Sequence, residues 1–128
     1  MSIDDRLSER MNWEGPTKES AEAFLAEWQR TVVDREYVPA SGDSSKAAAA
    51  RLGQFLDDAD RRLPDGPIAV VTHGGVTIDL LHDLMGDERL DSAVPGLLGR
   101  GMPPGGLTIL AGSHGTWRIL GIGERRWE

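Results

Sequence analysis

The sequence predicts an α/β fold, a three-layer-like sheet flanked by helices. Three observations predict it. Residues 68–72, IAVVT, are uncharged and rich in β-branched side chains, and a strand so apolar is expected to be covered on both faces, as at the centre of an α/β sheet. That run passes directly into His73-Gly74-Gly75 and then into a segment of helical period, so a strand feeds a tight turn and a helix. Near the C-terminus two short apolar runs, GGLTILAG and TWRILGIG, flank Ser113–Gly115 as the arms of a hairpin flank its turn.

Each element can be read in order. Residues 1–16 are polar and punctuated by Gly15 and Pro16, which reads as loop. Thr17 is expected to cap a first helix, with Glu19 favourably placed in its first turn. Ala21, Leu25, Trp28 and Val32 then mark one helical face, widened by Phe24 and ending near Arg35. YVPASGDSS breaks the pattern at Pro39 and Gly42, and Asp43 or Ser44 can cap a second helix. Leu52, Phe55, Leu56, Ala59 and Leu63 give that helix its apolar face, aided by a run of alanines. LPDGP ends it, before IAVVT. After the glycines, Val76, Leu80, Leu81 and Leu84 form a third helical face, and DERLDSAVPGLLG reads as a short helix broken by Pro95 and Gly96. The order is helix, helix, strand, helix, short helix, hairpin. A stable sheet usually has more strands than this, so part of the sheet is expected to be missing.

Composition narrows the function classes. The 128 residues suit one domain, with 39% hydrophobic and 27% charged residues. There is no cysteine, hence no disulfide framework, thiolate nucleophile or cysteine metal site, which is compatible with a cytoplasmic location. The net charge is −7 and no basic run occurs, so no nucleic-acid partner is expected, since such binding needs Lys and Arg to displace counterions. A phosphorylated small molecule remains compatible, because a local pocket can be positive. The apolar runs fall far short of the roughly 20 residues needed to cross a bilayer, so no membrane partner is expected. MSIDDRLSER is acidic and lacks the apolar core of a signal peptide.

His73 is the residue with the strongest claim to chemistry. At the end of a strand, before glycines that let backbone approach a ligand, and beside a helix N-terminus, it could donate to a phosphoryl oxygen, hold a metal or act as a base. It could equally cap the turn against a backbone carbonyl. His82 shares a helical face with Asp79, with Asp83 adjacent, and reads more simply as an exposed helical pair than as metal ligands. His114, in GSHGT, reads as a solvated turn residue. No pair of histidines has zinc-motif spacing, so no structural metal is expected. On composition Glu9 is a surface carboxylate, Arg10 and Arg51 could contribute positive charge to a site but are explained equally well by helix-surface ion pairs, and Trp13 either walls a pocket or covers the core edge. GDSSK and AGSHG only approximate a serine nucleophile elbow, and neither lies between a strand and a helix.

Taken in order, DDRLSERMNWEG, WQRTVVDREYVPASGDSS, AAARLGQFL, IAVVTHGGVTIDLL and GGLTILAGSHGTWRILGIG resemble successive segments of the histidine phosphatase (phosphoglycerate mutase-like) family. The resemblance covers nearly the whole chain. It implies hydrolysis of a small phosphomonoester through a phosphohistidine intermediate, with no cofactor. His73 matches the family's second histidine, which contacts the phosphoryl oxygens, with Gly74 beside it in the phosphate site. Glu9 most resembles the carboxylic acid that protonates the leaving alcohol, with Glu14 its nearest competitor. The chemistry is sound: an imidazole is a fair nucleophile toward phosphorus, and transfer is mostly positioning and charge stabilisation.

The same comparison finds no Arg-His-Gly, the motif of the nucleophilic histidine, and no strand before DDRLSER. The expectation is therefore a partial domain over residues 1–128, incomplete at the N-terminus and inactive alone. Truncation or a misassigned start, genuine degeneration, and supply of the strand by another chain would each account for it. A non-catalytic phosphate-binding or protein-interaction domain is the alternative. The expected partners are a small phosphorylated molecule or inorganic phosphate, and other copies of the chain through an exposed sheet edge.

Overall fold

A computed structural model describes residues 3–63, 66–113, 116–123 and 125–126. After a 3-10 turn at Asp5–Leu7 come five helices: α1 (Ala21–Val33), α2 (Ser45–Arg62), α3 (Gly74–Met85), α4 (Asp87–Ala93) and α5 (Leu97–Arg100). Three strands complete the order: β1 (Thr108–Ser113), β2 (Thr116–Ile122) and β3 (Arg125–Arg126). Among the described residues no helix is long and apolar enough to cross a membrane.

Serine hydroxyls set the two long helices. Ser44 Oγ accepts from Ala47 N at 3.1 Å and starts α2, one of the two caps the sequence offers. The α1 cap is Ser20 rather than Thr17, its Oγ accepting from Ala23 N at 3.0 Å. The buried face of α1 also differs from the one the spacing predicts. Leu25 is 63% exposed, whereas Thr31 is fully buried and Phe24, Trp28 and Val32 are partly covered. The reason lies outside the helix, in a cation that α1 must cover.

Helix α3 is the hub. Val76 and Leu80 pack with Ala48 and Leu52 of α2, joined at the edge by Leu7, Leu56 and Leu110. Leu81, on another side, packs with Leu90, Val94, Leu97 and Ile122, which ties α4, α5 and β2 to α3. A helix with apolar side chains on more than one side is held from more than one side.

The expected three-layer-like sheet is not formed. Among the described residues the sheet contains β1, β2 and β3 in that order, all antiparallel. The predicted hairpin is present, with Thr108 opposite Ile122 and Ser113 opposite Thr116. Residues 68–72, predicted as the central strand, form no strand and pair with no neighbour, and Val71 is 90% exposed. A β-branched run favours extended backbone, but it becomes a strand only when a neighbouring edge takes up its hydrogen bonds.

One buried ionic cluster joins the N-terminal segment to the helices. Arg10 is 4% exposed and Asp79 3% exposed. Arg10 Nη1 donates to both Asp79 carboxylate oxygens at 2.9 Å, and its Nε donates to Thr31 Oγ1 at 2.9 Å. The guanidinium lies 3.8 Å from the Trp28 ring centroid, so Trp28 and Thr31 together turn that face of α1 inward. Ser45 Oγ donates to Asp79 Oδ1 at 2.6 Å, and Arg35 Nη2 donates to Asp79 O at 2.9 Å. Burial pushes the Asp79 carboxyl above its ordinary value, opposed by the Ser45 hydroxyl and by Arg10.

Removing one partner of such a pair strands the other charge. Arg10→Ala is therefore expected to cost about 3–5 kcal/mol in urea denaturation, while an apolar double replacement, Arg10→Met with Asp79→Leu, recovers much of that loss. A cost below about 1 kcal/mol for Arg10→Ala, the value of an exposed pair, would show that the cluster does not hold the fold together.

Candidate active site

The site forms where the N-terminal segment meets the start of α3. Arg51 of α2 clamps that segment, donating from Nη1 to Arg6 O at 3.0 Å and from Nη2 to Glu9 O at 3.0 Å. Its Nε donates to Asp43 Oδ2 at 2.9 Å. Asp43 N in turn donates to Arg10 O at 2.8 Å, beside an antiparallel bridge between Met11 and Gly42. Gly42 is required there, because a Cβ would lie 2.0 Å from Arg10 O. Arg10 and Arg51, left by the sequence between site charge and helix-surface ion pairs, fix the backbone around Glu9.

Glu9 reaches the first turn of α3. Gly75 N donates to Glu9 Oε2 at 3.0 Å, which satisfies one of the helix's unpaired N–H groups with a carboxylate. Glu9 Oε1 is buried and makes no hydrogen bond. Gly75 permits the approach: a Cβ there would stand 2.4 Å from Glu9 Oε2 and 2.7 Å from the Trp28 ring. Gly74 is similarly close to Met102, whose Cβ would be 3.0 Å from an added Cβ.

His73 is the residue before α3. Its carbonyl accepts from Thr77 N at 3.2 Å and from Thr77 Oγ1 at 2.8 Å, but its ring makes no capping hydrogen bond and is exposed. The alternative of a ring spent on capping the turn therefore does not hold. Two cavities meet at this turn, both lined by Gly74 and Met102. The smaller, about 350 Å³, is bounded by Glu9, Arg10, Trp28, Ile78 and Arg100. The larger, about 910 Å³, contains His73. The turn thus presents an unengaged imidazole on one side and a half-satisfied carboxyl on the other.

Of the remaining candidates, Asp79 and His82 line the smaller cavity with Glu9, and the other described ones do not. Glu14 is exposed, away from α3, and Trp13 donates from Nε1 to Glu19 O at 3.0 Å, so neither walls the smaller cavity. His82 lies about 13 Å along α3 from His73. It contacts Asp87 rather than Asp79, which is committed to Arg10, while Asp83 pairs with Arg35 at 3.3 Å. His114 lies outside the described residues. Among the described residues no cluster of three or more His, Asp or Glu side chains could hold a metal ion. Sequence reasoning offered Arg10 and Arg51 only as positive charge or surface ion pairs, not as clamps on the backbone around Glu9, and it read Trp28 only as part of an apolar helix face. The available signal was Arg10 directly after the candidate acid, yet a cation there is read by default as solvated.

Comparison with known proteins places the chain in a class. The pattern described as Histidine phosphatase superfamily (branch 1) matches residues 1–125. The chain belongs to that superfamily. The match begins at residue 1, which overturns the expectation of a domain lacking its N-terminal segment and, with it, the inactivity inferred from that loss. No curated protein and no solved structure matches the chain.

The seat of Glu9 and the burial of His82 can each be tested by unfolding. Gly75→Ala is expected to push Glu9 and Trp28 apart and to destabilise the fold by about 1–3 kcal/mol, as overpacking does, measurable by thermal or urea unfolding. An unchanged midpoint would mean that Glu9 is not seated on the turn. The His82 imidazole is held below its ordinary value of 6.5 by burial first and by Arg35 next, against Asp87, Asp79 and Asp83. Below about pH 6.5 the unfolded chain takes up a proton that the folded chain resists, so this stabilisation is present above that pH and lost as pH falls toward the lower folded value. The urea midpoint should fall between about pH 7.5 and about pH 5.5, and His82→Gln should flatten that part of the profile.

Proposed function

We propose that this protein hydrolyses a small phosphomonoester at the turn between residues 72 and 76: water forms the new P–O bond as the ester P–O bond breaks, releasing inorganic phosphate, with His73 contacting the phosphoryl oxygens and Glu9 protonating the leaving alcohol. The observation that carries the reading is the seat of Glu9. A carboxyl group with one oxygen fixed by Gly75 N and the other buried without a partner is aimed at whatever enters beside the turn. Membership of a phosphatase superfamily supplies the reaction class. In this reading, the exposed His73 ring supplies an N–H donor toward phosphoryl oxygen, and Gly74 lets substrate approach the backbone closely. The small cavity beside Glu9, with Ile78 and Met102 on its walls and Arg100 lining it, receives the alcohol. Proton delivery from a positioned carboxyl lowers the cost of expelling a poor leaving oxygen. The cysteine-free composition is compatible with the cytoplasm, where we place the reaction.

Steady-state release of p-nitrophenol from p-nitrophenyl phosphate tests the reaction, and phenyl phosphate tests the acid because its leaving group is poorer. Wild-type protein is expected to turn over both. Glu9→Gln keeps an oxygen on Gly75 N and should lower phenyl phosphate turnover by about 10²–10⁴-fold, with a smaller effect on the nitrophenyl ester. His73→Ala should slow both. Wild-type rates no better than buffer, or equal loss on both esters in Glu9→Gln, would overturn the assignment.

A further inference from the structure

Residues 67–72 belong to no helix or strand, and no hydrogen bond joins their backbone to any other described residue. Their one polar attachment is at the end of the run, where Thr72 Oγ1 donates to Leu7 O at 2.5 Å. Across the larger cavity stands β1, the edge strand of the sheet, paired only with β2. Leu52, Leu56, Leu80 and Leu81 line the space between them. Two open backbone edges therefore border one apolar slot of about 910 Å³. Open edges invite pairing, and backbone groups left unpaired beside apolar surface are costly. Thr108 Oγ1, at the start of β1, is likewise buried without a partner.

The walls of the slot are also the least charged parts of the chain. Residues 66–78 and 101–117 are its two longest stretches without Asp, Glu, Lys or Arg. A protein of net charge −7 repels its own copies over most of its surface, and this face weakens that repulsion, because Asp60 is the one Asp or Glu among the described residues that line the slot. A segment that enters the slot must be uncharged and open on both edges. Residues 67–72 of a second copy meet both requirements.

We propose that this slot docks a second copy of the chain, the 67–72 edge of each copy entering the slot of the other. The contact is isologous, so one set of residues supplies both sides. Antiparallel pairing of two uncharged runs opposes no like charges and covers Ile68, Val71 and Leu107, which the single chain leaves exposed.

Sedimentation velocity over a concentration series in the micromolar range tests this directly. Wild-type protein is expected to dimerise, and added salt should strengthen the association by screening the net charge. Val71→Asp alters a side chain that is 90% exposed in the single chain and should weaken the dimer by about 100-fold or more, because it would bury a carboxylate against the partner's uncharged run. Amide exchange should be slow at 68–71 and 108–112 in the wild-type dimer and fast in Val71→Asp. Should Val71→Asp lower the melting temperature, Leu107→Asp applies the same test from the other wall. A wild-type monomer at every concentration, or a dimer indifferent to both aspartates, would overturn the proposal. So would a wild-type monomer whose 68–71 amides become protected only when an uncharged Val/Thr strand peptide is added, which would assign the slot to a foreign strand.

Discussion

The pairing of Arg10 with Asp79 is the constraint on which the rest of the structure depends. It joins the N-terminal segment to α3, and its ligands come from every helix around it: Thr31 and Trp28 from α1, and Ser45 from α2. Burying two charges is expensive, and their attraction offsets the expense only when the remaining donors and acceptors are also satisfied. Here they are. Asp79 accepts from Arg10 on both oxygens and from Ser45 on one, while Arg10 is covered by an aromatic face. The pair contributes uniqueness more than raw stability. An apolar substitute could fill the volume, but it would not dictate which residue of the N-terminal segment sits over α3.

That register determines the site. Glu9 is the neighbour of Arg10, so fixing Arg10 over Asp79 brings Glu9 to the first turn of the same helix, four residues upstream of Asp79. Arg51 holds the backbone from the other side. The acid is thus positioned by two cations that do not bond its carboxylate, and by a glycine that leaves it room. A one-residue slip of the segment would put Ser8 or Arg10 at Gly75, and the proposed acid would leave the turn while the apolar packing of α2 on α3 survived.

The parts of this arrangement that were legible in the sequence are those set by neighbours along the chain. Ser44 and the spacing of Leu52, Leu56 and Ala59 define α2, and His73-Gly74-Gly75 marks the start of α3. The hairpin is visible in its two apolar arms. The inward face of α1 was not, because Trp28 and Thr31 are turned inward by Arg10, which lies in a different part of the chain. Asp79 illustrates the same difficulty. Beside His82 and Asp83 it resembles a solvated carboxylate, and only the arrival of Arg10 and Ser45 makes it the most committed acid in the protein. Glu9 and His73 were identifiable through family resemblance, but the cations that hold Glu9 were hidden by the ordinary expectation that arginine faces water.

Residues 67–72 show where local information stops. A helix closes its backbone hydrogen bonds within itself, so composition and capping are enough to specify α2 and α3. A strand cannot do this. The apolar, β-branched run IAVVT specifies extended backbone and an uncharged face, and it specifies nothing about which edge will lie alongside. In this structure the run is tied at one end by Thr72 to Leu7, while its backbone bonds to no other described residue. His73 is the next residue along the chain. The turn that presents the imidazole is thus anchored on its helical side by α3 and Glu9, and on its strand side by a segment whose own hydrogen bonds await a partner. Whatever pairs with 67–72 therefore stiffens the His73 side of the site and leaves the Glu9 side as it is, because Glu9 is held through Arg10 and Arg51 rather than through the strand.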